Sequence, residues 1–329
     1  MISKLIKSTV VLSLLVTVAF SADAVRLNVI SGDQEDKYEK EFLPSLEKAT
    51  GFSMSDPHEK IDDAFALRYG NPKDPDYDKA WSASLDNLGF FSISNDKALY
   101  PILKKAPQVA GFAPFNLLIY KNKSEDVTYV GHIDPAAMLD ITGVKDKGAR
   151  EAFVKRYKPL DAYVTQELGG KVTTSSYDKL PAKSMMNFEF DIPAGVDVVA
   201  WTEEFQEGFE GAFEDKKYII AGFKNFKETY EEDLGMEFGE YDAFFVYSVC
   251  HFTLSYNIFN KGRADAGVFA PCAMYFYIKP GTNKMVVGMP HLSVWAAVMK
   301  FTDKAKIDAA KVIDAEIVSI MKSLGAKEI

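Results

Sequence analysis

Tyr38, Phe42 and Leu46 stand at i, i+4 and i+8, and Phe205, Phe209 and Phe213 repeat that spacing 167 residues later. Apolar side chains at this period share one face of a helix, so each triplet predicts an amphipathic helix packed through its stripe. Residues 242–250 instead alternate and are rich in aromatic and β-branched types, the pattern of a strand. Strands are likewise predicted over 188–192, 218–223, 272–278 and 284–289, the last two joined by the turn Pro280-Gly281-Thr282-Asn283. Helices are predicted over 201–215 and 251–261, with a short one near 224–234. A closing helix over 303–324 carries Ile307, Val312, Ile313, Ile317 and Ile320 on one apolar face.

The paired stripes are part of a longer internal repeat. Phe91-Ser92-Ile93-Ser94 and Tyr100-Pro101-Ile102-Leu103 match Tyr247-Ser248-Val249-Cys250 and Tyr256-Asn257-Ile258-Phe259 at an offset of 156. One residue further out of register, Phe112-Ala113-Pro114 pairs with Phe269-Ala270-Pro271, Tyr120 with Tyr277, and Val130-Gly131 with Val287-Gly288. The shift from 167 to 156 places eleven extra residues in the first copy, in the polar stretch 70–81. Strands and helices mix without βαβ alternation, which predicts an α+β protein of two similar domains, each a mostly antiparallel sheet with helices on one face. The expected boundaries are a signal peptide over 1–24, a degenerate first repeat over 25–144, a helical linker over 145–185 holding a helix at 149–168, and a second repeat with its C-terminal helix over 186–329.

Composition changes this picture at the N-terminus and in the choice of partners. Lys4 and Lys7 precede the apolar run 10–20 and then Ser21-Ala22-Asp23-Ala24, which reads as a secretory signal cleaved after Ala24, or alternatively after Ser21. A periplasmic or secreted protein with no later membrane segment follows. The full chain is ordinary globular material, 47% hydrophobic and 26% charged. Its net charge of −9, from 38 Lys and Arg against 47 Asp and Glu, opposes a phosphate backbone and argues against nucleic acid as partner.

The second copy resembles the bacterial family known as domain of unknown function 302. The resemblance rests on the helix ending before Lys216-Lys217-Tyr218, the strand running into Val249-Cys250, and the turn Ala270-Pro271-Cys272. It covers roughly 186–292, and more weakly 27–142, where Ser94 and Phe115 replace the two cysteines of the family pattern. It implies a compact fold similar to that of the TATA-binding protein, often paired into dimers, and no reaction. In a duplicated chain, the implied pairing becomes an intramolecular pseudo-dimer of the two repeats.

Common catalytic signatures are absent, including Gly-x-Gly-x-x-Gly, Walker, Gly-x-Ser-x-Gly and His-Glu-x-x-His motifs. What remains is Cys250 and Cys272, each at a strand end in the second copy. They are read as a structural disulfide, as two buried thiols, or as a functional pair. In the functional reading, Cys250, Cys272, His251 and Met274 are a soft donor set suited to copper as Cu(I), with Met285, Met289 and His291 near the same hairpin. His251 beside Cys250 equally suits thiol–disulfide exchange or a redox sensor. Tyr247 and Tyr275 border the same strands as candidates for lining a small-ligand pocket, with Tyr256 and Tyr277 nearby. The reading adopted is an exported, non-catalytic small-ligand or soft-metal binding or accessory module that uses the second repeat, with a thiol–disulfide oxidoreductase as the rival. Any ligand is expected to contact the second copy near Cys250, His251 and Cys272, and not the matching Ser94, Asn95 and Phe115 of the first.

Overall fold

The computed structural model describes residues 21–55 and 59–329. The apolar run of the expected signal peptide lies outside the described residues. The first half holds β1 (Ala22–Ser31), α1 (Glu35–Lys37), a π-helical turn (Tyr38–Phe42), α2 (Leu43–Thr50), β2 (Ser53–Met54), β3 (Glu59–Lys60) and α3 (Ile61–Tyr69). It continues with β4 (Leu85–Ser94), α4 (Asp96–Leu103), a 3₁₀ turn (Pro107–Phe112), β5 (Phe115–Asn122), β6 (Val127–Ile133), α5 (Pro135–Ile141), α6 (Lys147–Glu167) and β7 (Lys171–Tyr177). The second half holds β8 (Met185–Asp191), α7 (Val198–Glu214), β9 (Tyr218–Asn225), α8 (Phe226–Glu228), a π turn (Thr229–Asp233), β10 (Ala243–His251), α9 (Phe252–Ser255), a π turn (Tyr256–Asn260) and a 3₁₀ turn (Ala264–Phe269). It ends with β11 (Cys272–Ile278), β12 (Lys284–Pro290), α10 (Leu292–Val298), α11 (Lys304–Ser323) and β13 (Lys327–Glu328).

These strands form two antiparallel sheets of the same topology. One runs β2-β4-β5-β6-β1-β7, with β3 also on β4, and the other β9-β10-β11-β12-β8-β13. In each, the first strand of the half inserts between its last two strands, so the α+β class and the two similar parts are those expected. The predicted stripes do the predicted work. Tyr38 packs its ring 4.7 Å from Phe91, and Phe209 lies 4.8 Å from Tyr247, the residue 156 positions after Phe91. Tyr38, Phe42, Leu46, Phe209 and Phe213 are all buried, which is how each helix layer is held on its sheet.

The stretch 145–185 is more than a linker. Its helix, capped by the Asp146 side chain accepting from the Ala149 amide at 2.6 Å, is followed by β7, which pairs along β1 and completes the first sheet. Lys171–Tyr177 reads as polar loop in sequence because both its faces are hydrophilic, yet Val172, Thr173 and Thr174 are β-branched and suit a sheet edge.

The halves touch reciprocally. The 107–112 turn of the first packs on β11 and β12 of the second, and the equivalent 264–269 turn packs on β5 and β6 of the first. Asn116, buried in this seam, accepts from the Phe91 amide at 2.9 Å and donates to the Gly267 carbonyl at 2.6 Å. Around it, Tyr69 stacks on Tyr256 with centroids 3.6 Å apart, and Tyr230 donates to the Asp96 carbonyl at 3.0 Å. No helix among the described residues is long and apolar enough to cross a membrane.

Candidate functional site

Cys250 and Cys272 lie on neighbouring strands but on opposite faces. Val249 is the cross-strand partner of Cys272, so Cys250, one residue on, turns away. Both side chains are thiols, and the expected bridge is corrected by this register: strand alternation sends the two sulfurs to different surroundings.

Cys272 opens β11 at the seam, beside Phe112, Pro114 and Trp295, where a crevice of about 10 Å³ has room for one water at most. Burial, with the neighbouring Cys250 and Asp314, raises its thiol pKa well above the ordinary value. A thiol held protonated is a weak nucleophile and a weak metal ligand.

His251 acts as a helix cap. Its Nδ1 accepts from the Leu254 amide at 3.2 Å, which places the proton of the neutral ring on Nε2. The ring stands edge-on to Tyr218 at 5.0 Å, and the Tyr218 hydroxyl donates to Glu316 Oε2 at 3.0 Å. Burial lowers the imidazole pKa against the opposing pull of Glu316.

The other candidates are packing residues. Met274, opposite Tyr247 in the ladder, is fully buried, as are Met285 and Met289. Tyr247 hydrogen-bonds Glu210 beneath α7, and Tyr275 is buried with its hydroxyl over Gly288. His291 lies 3.4 Å from Asp314, whose carboxylate accepts the Leu292 and Ser293 amides and so caps α10 from α11. Of the proposed donors, Cys250 turns to the opposite face of the sheet from Cys272, Met274 and His251. No group of three or more His, Cys, Asp or Glu among the described residues is placed to hold a metal ion.

What Cys250 does face is a cleft. A cavity of about 560 Å³ opens between α3 of the first half and the β9–β10 edge of the second. Ile61, Ala64, Leu67, Phe90, Ile219 and Phe252 make its walls apolar, with Lys60 and Asp63 at one side. Cys250 Sγ sits on its wall, 3.2 Å from Ser255 Oγ. Leu67 is 79% exposed and Ile219 43%, so both halves present hydrocarbon to this space. Sequence reasoning missed the α3 wall, although Ile61, Ala64 and Phe65 at i, i+3 and i+4 carry a helical signal and leave Leu67 off the buried stripe.

The equivalent place in the first half is polar. Ser94, in the position of Cys250, donates to Asp96 Oδ1 at 2.6 Å, and Lys224 reaches across from the second half to Asp96 Oδ2 at 2.8 Å. Duplicate strand ends have thus acquired opposite character, one bordering an open apolar cleft and the other sealed by an ion pair.

Residues 82–163 match the sequence profile of the family described as domain of unknown function DUF302. That match falls on the first half, where the resemblance was expected to be weaker; it does not extend to the second. Among solved structures, the crystal structure of an uncharacterized conserved DUF302 protein from Bacillus stearothermophilus is similar at 19% identity. That similarity spans 42% of this chain and 94% of the other, with a TM-score of 0.31. No curated protein matches the chain.

Proposed function

We propose that this chain is an exported, non-catalytic binding module that takes up a small, largely apolar molecule in the cleft between α3 and the β9–β10 edge. The observation that carries this reading is the cavity itself: about 560 Å³, within the usual range of small-molecule sites, with walls of aliphatic and aromatic side chains. Cys250 contributes a thiol to the wall and the first half contributes α3, so the site belongs to both repeats. Reciprocal packing of the 107–112 and 264–269 turns supports reading the two repeats as an intramolecular pseudo-dimer, which holds the cleft walls at high effective concentration. The oxidoreductase alternative loses support because the two thiols face apart.

Titration with a neutral, solvatochromic naphthylamine probe tests the reading. The expected result is one saturable site per chain, abolished by Ala64→Glu in the cleft and kept by Val199→Glu, an exposed apolar position on α7. Unimpaired binding in Ala64→Glu overturns it.

Export carries its own refinement. Ala22 and Asp23 pair with Tyr177 and Ser176, Ala24 is fully buried, and its carbonyl accepts from the Asp134 amide at 2.8 Å. Cleavage after Ala24 removes the start of β1, so we infer that the signal is cut after Ser21, behind the small residues Ala19 and Ser21. Intact mass of the secreted protein checks this, and a chain beginning at Val25 refutes it.

A further inference from the structure

Arg156 projects from α6 into the protein interior and is 6% exposed. Its guanidinium carbon lies 4.2 Å from the centroid of Phe153, 4.8 Å from that of Tyr157 and 5.8 Å from that of Phe52. Nη2 donates to the Tyr157 hydroxyl at 3.0 Å, but Nε and Nη1 meet no acceptor among the described residues. A guanidinium keeps its charge throughout the range in which proteins are folded, and burying it without acceptors is strongly unfavourable. Asp96 acts on Arg156 through space, yet both its oxygens are taken, one by Ser94 and one by Lys224. Arg156 and Lys224 thus share the one carboxylate of Asp96.

Packing alone does not call for an arginine here. The helices α6 and α11 are equivalent, starting at the capping residues Asp146 and Asp303, and the position of Arg156 in the second half is Ile313. Ile313 is 7% exposed, so hydrocarbon fills the same place on the duplicate scaffold.

We propose that Arg156 anchors a small oxyanion at the seam between the halves, with Lys224 as the second cation and Tyr230 closing the site from the second half. A carboxylate or an inorganic oxyanion can take one edge of the guanidinium, pairing Nε or Nη1 with the remaining hydrogen of Nη2, and the crowding rings of Phe52, Phe153 and Tyr157 favour a ligand of a few heavy atoms. This site is separate from the apolar cleft and does not depend on it.

The test is a titration of the full chain with formate, acetate and phosphate in turn, at constant ionic strength with chloride as the reference. The side-chain Nε–H resonance of Arg156, assigned by its loss in Arg156→Lys, is expected to shift and saturate, and the melting temperature to rise with it. A response to any of the three supports the site, and the tightest names the source. Arg156→Met is expected to abolish the melting response, and Lys224→Met to weaken binding about tenfold, as for the loss of one charge-assisted hydrogen bond. An Nε–H resonance that none of the anions moves overturns the proposal, as does an undiminished melting response in Arg156→Met. Should Arg156→Met fail to fold, the titration of the unmodified chain decides alone.

Discussion

His251 and Asn95, 156 residues apart, perform the same task. Asn95 Oδ1 accepts from the amide of Ala98 at 3.1 Å, and His251 Nδ1 accepts from that of Leu254, the equivalent residue, at 3.2 Å. An imidazole that looks like a ligand in sequence is thereby a helix-capping group in structure.

Replacement of His251 by asparagine is expected to preserve stability at pH 8, whereas His251→Ala costs about 1 kcal/mol, the usual value of a lost cap. Because the folded-state pKa lies below the ordinary 6.5, the unfolded chain binds the proton more readily. The native protein should therefore lose stability as pH falls below about 6.5, and His251→Asn should remove that component. Urea melts at pH 8 and pH 5.5 measure both effects, and identical pH dependence in the two proteins contradicts the capping role.

Thiol labelling should distinguish the two cysteines. Cys250 lines an open cleft and is expected to react in the native protein, while Cys272, with its pKa raised by burial, should react only after unfolding. Counting modified sulfurs by mass before and after denaturant reads this out. Oxidised protein should show no intramolecular bridge.

Asp62 is half-buried on α3, and burial, against hydrogen bonds from the Leu88 amide and its own, pushes its pKa to about 6. A carboxyl whose folded pKa exceeds its unfolded value stabilises the protein while protonated, so this contribution fades as pH rises from about 4 through 6. Asp62→Asn keeps an acceptor for Leu88 without the buried charge. The variant is expected to be more stable than the parent at pH 7 and no more stable at pH 4, by thermal unfolding; a loss of stability at pH 7 argues against the buried carboxyl.

Gly131 and Gly288 are equivalent residues on β6 and β12, and both permit close approach. A Cβ at 131 would stand 2.0 Å from the Arg26 carbonyl oxygen, in the backbone of the neighbouring strand; one at 288 would meet the Tyr275 hydroxyl at 2.2 Å. Gly131→Ala should cost about 3 kcal/mol, the upper end for overpacking, with no single side-chain change to relieve it. Gly288→Ala should be partly rescued by Tyr275→Leu, and denaturant melts of the double variant check the rescue.

Much of the architecture was legible because periodicity is local. The 272–278 strand, the 303–324 helix and the two aromatic stripes follow from spacing and caps within a few residues of each other. β7 escaped because its partner β1 lies far away in sequence and both its faces are polar. The site was less readable for a related reason. Cys250 and Cys272 seem paired until the ladder is known, since the register of Val249 with Cys272 decides which way each sulfur turns. Arg156 looks in sequence like any charged residue of a surface helix; the rings that bury it come from residues 52, 153 and 157, and the residues that surround the seam come from the other half.

The position of β7 has a consequence for how the protein is made. Each sheet places its earliest strand beside its last, so a half cannot close until its final strand exists. The first sheet gains that strand at Tyr177, before any strand of the second has been synthesised. A chain emerging N-terminus first can thus complete one half and then template the other on the 107–112 turn already in place, which makes the order of synthesis an assembly sequence in its own right.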